Sequence, residues 1–492
     1  MNFSLLYKTE ETPPVCDILY DLSTDRAMKS ICPDPRKREY FLDILSKPLR
    51  RRENILYRQQ IYSDFARLPE LFSDLKTLFT RYDRIKSDWQ ELKLSAAPAS
   101  SSTVNPEALL EHTYASLKVT AIFPNTIVSF FHSLCDTLKK YSLRAEGLLA
   151  IRDYCEEMIR NDSFSEIVRI AQLFRYHTPE HYTFGMAVDL DETLRVSSLD
   201  LCEITEYDPK AEKTPLFRLF SKKDEKKPPK ADVPSDGASY EKTVHLLNIA
   251  LCSIDSALTQ VTNNLYGVFY GIGREMLFYE TALLYREHMA SLGLPLTLPE
   301  ISEPEDNRIV LHTLYDLVLA AEAENAERIV PNDVEIDGVA GILVKGLTDT
   351  GKTVYLRSAG AAQLFGQAGL PVLAQQAHLS IRNAFFSHFS SAEEEFLTGD
   401  AAGRFDQEAK EIAHILDRLQ PYSMVFLNET FQTTSYREGT LAIFRILSVL
   451  PRTGTKFLFV THLTKLFSLM DKTRVCLMET DNGKQYRLKR IR

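Results

Sequence analysis

A chain of 492 residues exceeds the size at which one hydrophobic core keeps growing, so two or three domains are expected. Hydrophobic residues at 44% and charged residues at 25% match globular averages, which excludes a disordered or fibrous chain. The net charge of −9 excludes a uniformly basic coat but leaves room for a local basic face.

Seven cysteines, Cys16, Cys32, Cys135, Cys155, Cys202, Cys252 and Cys476, are scattered without a CxxC pair. They imply no disulfide framework, and a reducing cytoplasmic setting is expected. The N-terminal MNFSLLYKTEETPP has no basic region ahead of a long apolar run, and no stretch of about 18 uncharged apolar residues occurs. Neither secretion nor membrane spanning is expected.

From Phe3 to about Lys93 apolar residues recur at three- and four-residue spacing, through REYFLDIL and LPELFSDLKTLFTRY, which predicts helices. SAAPASSSTVNP, residues 95–106, breaks the pattern as a linker or exposed loop. Helical periodicity returns over 107–176, with an interruption expected near Pro124. Residues 182–204 switch to alternation around a DLDE turn and read as a β-hairpin. Residues 208–237, rich in lysine and proline, read as a flexible loop. Val244, Leu247, Leu251, Ile254, Leu258, Val261, Leu265 and Val268 then form an a/d seam. Such a seam suits either a long helix lying on its neighbours or an intermolecular coiled coil.

After LGLPLTLPE the pattern becomes α/β. VAGILVKG (339–346), SMVFLNE (423–429) and KFLFVTH (456–462) read as buried parallel strands ending in polar residues, with crossover helices between them. Pattern thus divides the chain into 1–105, 106–300 and 301–492. Ligands of such sheets bind at the carboxyl ends of the strands.

The chemistry-bearing motif is GLTDTGKT, Gly346 to Thr353, between a strand and a helix. Backbone N–H groups of Gly346, Thr348, Asp349, Thr350, Gly351 and Val354 would wrap ATP phosphates; Lys352 would reach the β- and γ-phosphates, and Thr353 would hold Mg²⁺. Asp349 is an acid in a loop meant for anions and is tolerated only if it points outward. At the second strand end, Glu429 suits a catalytic base and Asn428 stands where an acid for Mg²⁺ is expected. The alternative role of Glu429 is an N-cap or salt bridge. His462 ends the third strand, within reach of a γ-phosphate or attacking water, although a lone histidine is more often structural. Basic clusters are Arg36, Lys37 and Arg38; Lys47, Arg50, Arg51 and Arg52; and Lys222, Lys223, Lys226, Lys227 and Lys230. Each suits DNA phosphates or merely a solvated surface.

These segments resemble the MutS mismatch-repair ATPases, a branch of the ABC-type superfamily. The likeness runs in order through IVPNDVEI, GLTDTGKTVYLRS, QAGLPVLAQQAHL, FLNETFQTTSYREGT and FVTHLTKLF, over residues 310–480. More weakly, DILYDLSTDRAMKSI and LSKPLRRRENILYRQQIY resemble that family's helical core and lever. The resemblance implies a mainly helical core and lever bundle followed by an α/β P-loop ATPase domain of ABC type. It implies ATP and Mg²⁺ as ligands, the metal held by Thr353 and, through water, by Asn428. Glu429 and His462 would be catalytic, and Ser435 would face a partner subunit. Since ATP sites of the family form between two subunits, a homodimer is implied.

The likeness begins near the helical core, so no N-terminal mismatch-reading domain, and no direct mismatch reading, is expected. The signature serine aligns with Gly403 or Phe405 of AAGRFDQEAKEI, so trans activation of hydrolysis is not expected; the chain stops at YRLKRIR without the family's terminal helical dimerisation segment, so a weaker or ATP-dependent dimer is expected. Two functions stay open: an ATPase coupling nucleotide state to clamping of branched or mismatched DNA, and a nucleotide-gated interaction protein with weak or absent hydrolysis. A transporter ATPase is disfavoured because no LSGGQ precedes the Glu429 strand.

Overall fold

Two helices begin at side-chain caps that the sequence supplies. Asp34 accepts the Arg36 N–H at 2.9 Å ahead of Pro35, and Asp316 accepts the Leu319 N–H at 2.8 Å. The computed structural model describes residues 2–13, 16, 18–95, 106–176, 182–190, 196–206, 237–390, 401–431, 435–481 and 486–491. Residues 96–105 of the expected linker, 208–236 of the expected loop, and Lys222, Lys223, Lys226, Lys227 and Lys230 lie outside them.

The helical part comprises α1 (Thr24–Ile31), α2 (Pro35–Leu45), α3 (Arg52–Arg67), α4 (Pro69–Ser95), α5 (Pro106–Lys139), α6 (Glu146–Arg160) and α7 (Asp162–Tyr176). The antiparallel hairpin β1 (Tyr182–Leu190) and β2 (Val196–Glu206) follows, then α8 (Gly237–Gly267) and α9 (Ile272–Ser291). The α/β part comprises β3 (Glu300–Ser302), β4 (Ile309–Leu314), α10 (Leu317–Glu322), β5 (Asn332–Ile336), β6 (Gly341–Lys345), α11 (Lys352–Gln367), β7 (Gln376–Ser380) and β8 (Phe385–Phe389). It continues with α12 (Ala401–Arg418), β9 (Met424–Asn428), α13 (Tyr436–Val449), β10 (Lys456–Thr461), α14 (Leu466–Leu469), β11 (Val475–Thr480) and β12 (Leu488–Arg490).

Two sequence expectations are corrected. Residues 3–23 form no helix among those described: the chain's N–H groups are taken by side chains, Leu5 by Glu275 at 2.5 Å and Lys8 and Thr9 by Asn54 Oδ1 at 2.8 and 3.0 Å. Helix α5 runs unbroken through Pro124. There the Asn125 amide donates to the Ala121 carbonyl at 3.0 Å, and buried Phe123 and Ile127 anchor both sides of the ring.

Packing groups the chain into two compact units. The first comprises Met1–Phe3, Glu70–Ser142 and Leu149–Gly273; the second comprises Ser4–Pro69, Leu143–Leu148 and Arg274–Arg492. These limits differ from the pattern boundaries at 105 and 300, because periodicity marks helices but not the partners they pack against.

In the first unit the α8 seam is intramolecular: Leu251, Ile254 and Leu258 pack against Tyr114, Leu117 and Ala121 of α5 and Ala171 and Phe174 of α7. An aromatic cluster closes the other end, where Tyr82 stacks on Tyr266 at 4.9 Å and Trp89 on Phe123 at 4.8 Å. By length and composition Val244–Ser291 contains one window apolar enough to cross a membrane. Its seam residues instead supply this packing face.

The second unit holds two sheets. A four-stranded sheet has the order β3-β7-β4-β5, and a six-stranded sheet has the order β12-β11-β6-β10-β9-β8. In the larger one β11, β6, β10, β9 and β8 are parallel, with β12 antiparallel at the edge. The three expected strands are its central ones; every residue of Lys456–Thr461 is buried. Leu343, Val425, Leu427, Phe457 and Phe459 pack against Ile412 of α12 and Ile443 and Leu447 of α13. Helix α11 is buried along almost all of its length.

Candidate nucleotide site

Register brings the site together. Thr461 pairs with Lys345 and Val460 with Asn428, so three adjacent parallel strands end at one level. They release Gly346, Glu429 and His462 on the same edge of the sheet. That edge opens into a cavity of about 1150 Å³ lined by Thr348 to Tyr355, Asn428, Glu429 and His462.

The loop has the backbone such a motif needs. Gly351 has φ 86° and Asp349 φ 61°, both left-handed. A Cβ on Gly346 would stand 1.9 Å from Thr480 Oγ1, so only glycine fits there. Thr480 Oγ1 donates to Thr350 Oγ1 at 2.9 Å, and Thr350 Oγ1 donates to the Leu347 carbonyl at 2.7 Å. Asp349 is exposed, which relieves the conflict expected from an acid in this loop. Helix α11 starts at Lys352, directing its N-terminal N–H groups and dipole toward the loop.

Lys352 is buried, and its Nζ donates to the carbonyls of Gly346 at 3.0 Å and Leu347 at 2.8 Å. Glu429 Oε1 lies 3.6 Å away. Burial pushes the Lys352 pKa down, partly offset by Glu429 and Asp349. Burial likewise raises the Glu429 pKa, against the opposing pull of His462 and Lys352. The Glu429 carboxylate also accepts the His462 N–H at 3.2 Å. His462 Nε2 lies 3.2 Å from Glu429 and 3.3 Å from Lys352, so its tautomer decides which one it bonds. Thr353 Oγ1 donates to Asn428 Oδ1 at 3.2 Å. Among the described residues no cluster of three or more His, Cys, Asp or Glu could cage a metal. A cation at Thr353 and Asn428 would keep waters and share phosphate oxygens, as Mg²⁺ does.

Residues 342–485 match the model of MutS domain V. Over 157 residues the chain is 31% identical to the DNA mismatch repair protein MutS of Granulibacter bethesdensis, spanning 32% of this chain and 17% of that protein. Over 166 residues it is 32% identical to the DNA mismatch repair protein MSH3 of Phaeosphaeria nodorum, spanning 32% of this chain and 15% of the relative. The part of the chain that carries the loop is thus similar to MutS domain V. A further relative, the Endonuclease MutS2 of Streptococcus uberis, is 28% identical over 172 residues, spanning 35% of this chain and 21% of its own. The chain covers about a fifth or less of the length of these curated relatives.

Other predicted residues sit away from the loop. Ser435 caps α13: its Oγ accepts the Glu438 N–H at 3.4 Å and donates to Glu438 Oε2 at 2.7 Å. Arg50 donates to Gln420 at 2.9 Å, Arg52 donates to the Ile301 carbonyl at 2.8 Å, and Arg51 faces Glu53 at 3.7 Å. Lys37 pairs with Glu280 at 2.8 Å.

Sequence reasoning missed several residues of this site. Asn332 ties the last strand to the cavity, accepting the Leu488 N–H at 2.8 Å and donating to the Tyr486 carbonyl at 3.1 Å. Tyr486 lies against Gly351. From the N-terminal segment, Asp21 accepts from Ser387 at 2.6 Å, and Ser23 accepts from Arg357 of α11 at 3.2 Å. The only available signal was the asparagine in IVPNDVEI; the others are ordinary polar residues far apart in sequence.

Proposed function

We propose that this protein binds ATP with Mg²⁺ at the Gly346–Thr353 loop and hydrolyses it with Glu429 as general base. The observation that carries this reading is the meeting of Lys352, Thr353, Asn428, Glu429 and His462 at the ends of three aligned strands. Loop N–H groups and the α11 terminus would hold the phosphates, and Lys352 would turn from the loop carbonyls to the terminal phosphates. Glu429 would take a proton from the attacking water, and the His462 backbone N–H would keep the acid aimed. When bound, Mg²⁺ would neutralise charge on the phosphate oxygens beside Thr353 and Asn428. The P-loop domain is accordingly an ABC-type ATPase fold, with two copies of the chain completing two sites.

The relatives' names connect the family to DNA mismatch repair. On that basis we infer a DNA-directed role in which nucleotide state governs contact with branched or mismatched DNA. The test is ATP hydrolysis by the full chain with and without duplex, mismatched and branched DNA. Turnover abolished by Glu429→Gln and stimulated by one DNA form is the expected result. No ATP affinity in the wild type would overturn the reading.

A further inference from the structure

The backbone beyond Glu429 is held in an unfavourable shape. Glu429 has φ 54° and Phe431 has φ 62°, a region that residues other than glycine enter only when their surroundings compel them. The compelling contacts come from α12 and the end of β8. The buried Glu408 carboxylate accepts the Phe431 N–H at 2.8 Å through one oxygen and the Ser390 hydroxyl at 3.0 Å through the other. Phe405, nearly one turn earlier on α12, meets the Phe431 ring at 5.4 Å. Thr430, fully buried between them, has its hydroxyl 2.9 Å from His388 Nδ1, and His388 Nε2 lies 3.2 Å from Glu411. Helix α12 thus grips both residues that follow Glu429.

We propose that Glu408 is a positioning residue that locks the Thr430–Phe431 turn and so aims the Glu429 carboxylate into the cavity. Two donors, one amide and one hydroxyl, need two acceptor oxygens at one buried point, and a carboxylate supplies both. Without it the Phe431 N–H is buried and unmet, and the left-handed turn loses the contact that bonds its backbone to α12. Displacement of α12 would release the acid from its aim, which makes this helix a control on the base. The proposal rests on Glu429 being that base.

The test compares full-length Glu408→Ala and Glu408→Gln with wild type by amide hydrogen exchange and ATP turnover. In Glu408→Ala, amides of residues 429–431 should exchange roughly tenfold faster or more, as expected for a lost buried hydrogen bond. Peptides covering β6 and β10 should be unchanged. The kcat should fall at least about tenfold with KM nearly constant, because the loss is one of aim. Glutamine offers its oxygen to Phe431 and its NH₂ to the Ser390 oxygen, so Glu408→Gln should recover most of both readouts. Glu408→Asp, which withdraws the carboxylate by one methylene, should show the same local loosening and serves if the alanine variant does not fold. Unchanged exchange at 429–431 in Glu408→Ala or Glu408→Asp overturns the proposal. Wild-type protein without turnover overturns the ATPase reading instead, while the exchange data still decide the role of Glu408.

Discussion

The Nζ of Lys352 stands 3.6 Å from Oε1 of Glu429, and both groups are largely withdrawn from water. Because the same ammonium donates to two loop carbonyls, Lys352 ties the phosphate loop after β6 to the end of β9, across the intervening β10. Burial works against both charges, so each depends on the other. Lys352→Ala should therefore weaken ATP binding at least about tenfold by removing a charge-assisted contact. Isothermal titration checks this, and wild-type affinity in the variant would remove the phosphate role of Lys352. In that background, adding Glu429→Gln should raise the melting temperature by neutralising a stranded acid.

The raised Glu429 pKa has a definite sign. A carboxyl whose folded pKa lies above its unfolded value contributes stability at low pH that is lost as pH rises through the folded pKa. The melting temperature of Glu429→Gln relative to wild type should therefore be highest at neutral pH and should fall as pH falls through the ordinary carboxylate range. Thermal melts at several pH values test this. A relative melting temperature that rises on acidification would contradict the burial argument. The same shift should place the acid limb of the turnover profile above that of an ordinary glutamate.

Gly346 and Thr480 form a second testable pair. Gly346→Ala sets a methyl against Thr480 Oγ1, which must displace the loop or β11. Nucleotide affinity should be lost in Gly346→Ala and partly regained on adding Thr480→Ala. No recovery in a fluorescent-nucleotide titration would mean that the loop, rather than this contact, sets the requirement for glycine.

Arg58 is fully buried, donates to the Leu6 carbonyl at 2.7 Å and the Ala368 carbonyl at 3.3 Å, and lies over the rings of Tyr7 and Phe278. Arg58→Met fills the space but strands both carbonyls, and should cost about 3 kcal/mol in denaturant unfolding. A change below about 1 kcal/mol would show that water or rearrangement meets those carbonyls.

Among the basic residues near α3, Arg51 is the informative one for DNA. Arg52→Ala forfeits its bond to Ile301 and should lose about 1 kcal/mol of stability. Arg51→Ala should stay within about 0.5 kcal/mol of wild type. If Arg51 meets a phosphate, that variant should bind all DNA sequences more weakly and lower the salt slope by about one. An unchanged slope would leave Arg51 a solvated side chain.

Local pattern carried much of this chain. Three buried apolar runs named the central strands, a glycine-bracketed Lys-Thr named the loop, and three- and four-residue spacing named the α8 seam, because each depends on neighbours in sequence. The short strands β3, β4, β5, β7, β8, β11 and β12 escaped notice because they are few-residue ladders whose pairing comes from distant segments. Tertiary structure alone decided that the seam turns inward on α5 and α7, that residues 4–13 form a bent, non-helical segment held by Glu275 and Asn54, and that Ser435 caps its own helix. It also decided what surrounds the strand ends. Strand register could be guessed from polar termini, but the grip of Glu408 on the turn after Glu429, and of Asn332 on Tyr486, joins side chains that only the folded sheet brings within bonding distance. A hydrogen bond between such residues leaves no periodic trace in the chain, so sequence could name the loop and its acid but not what holds that acid in place.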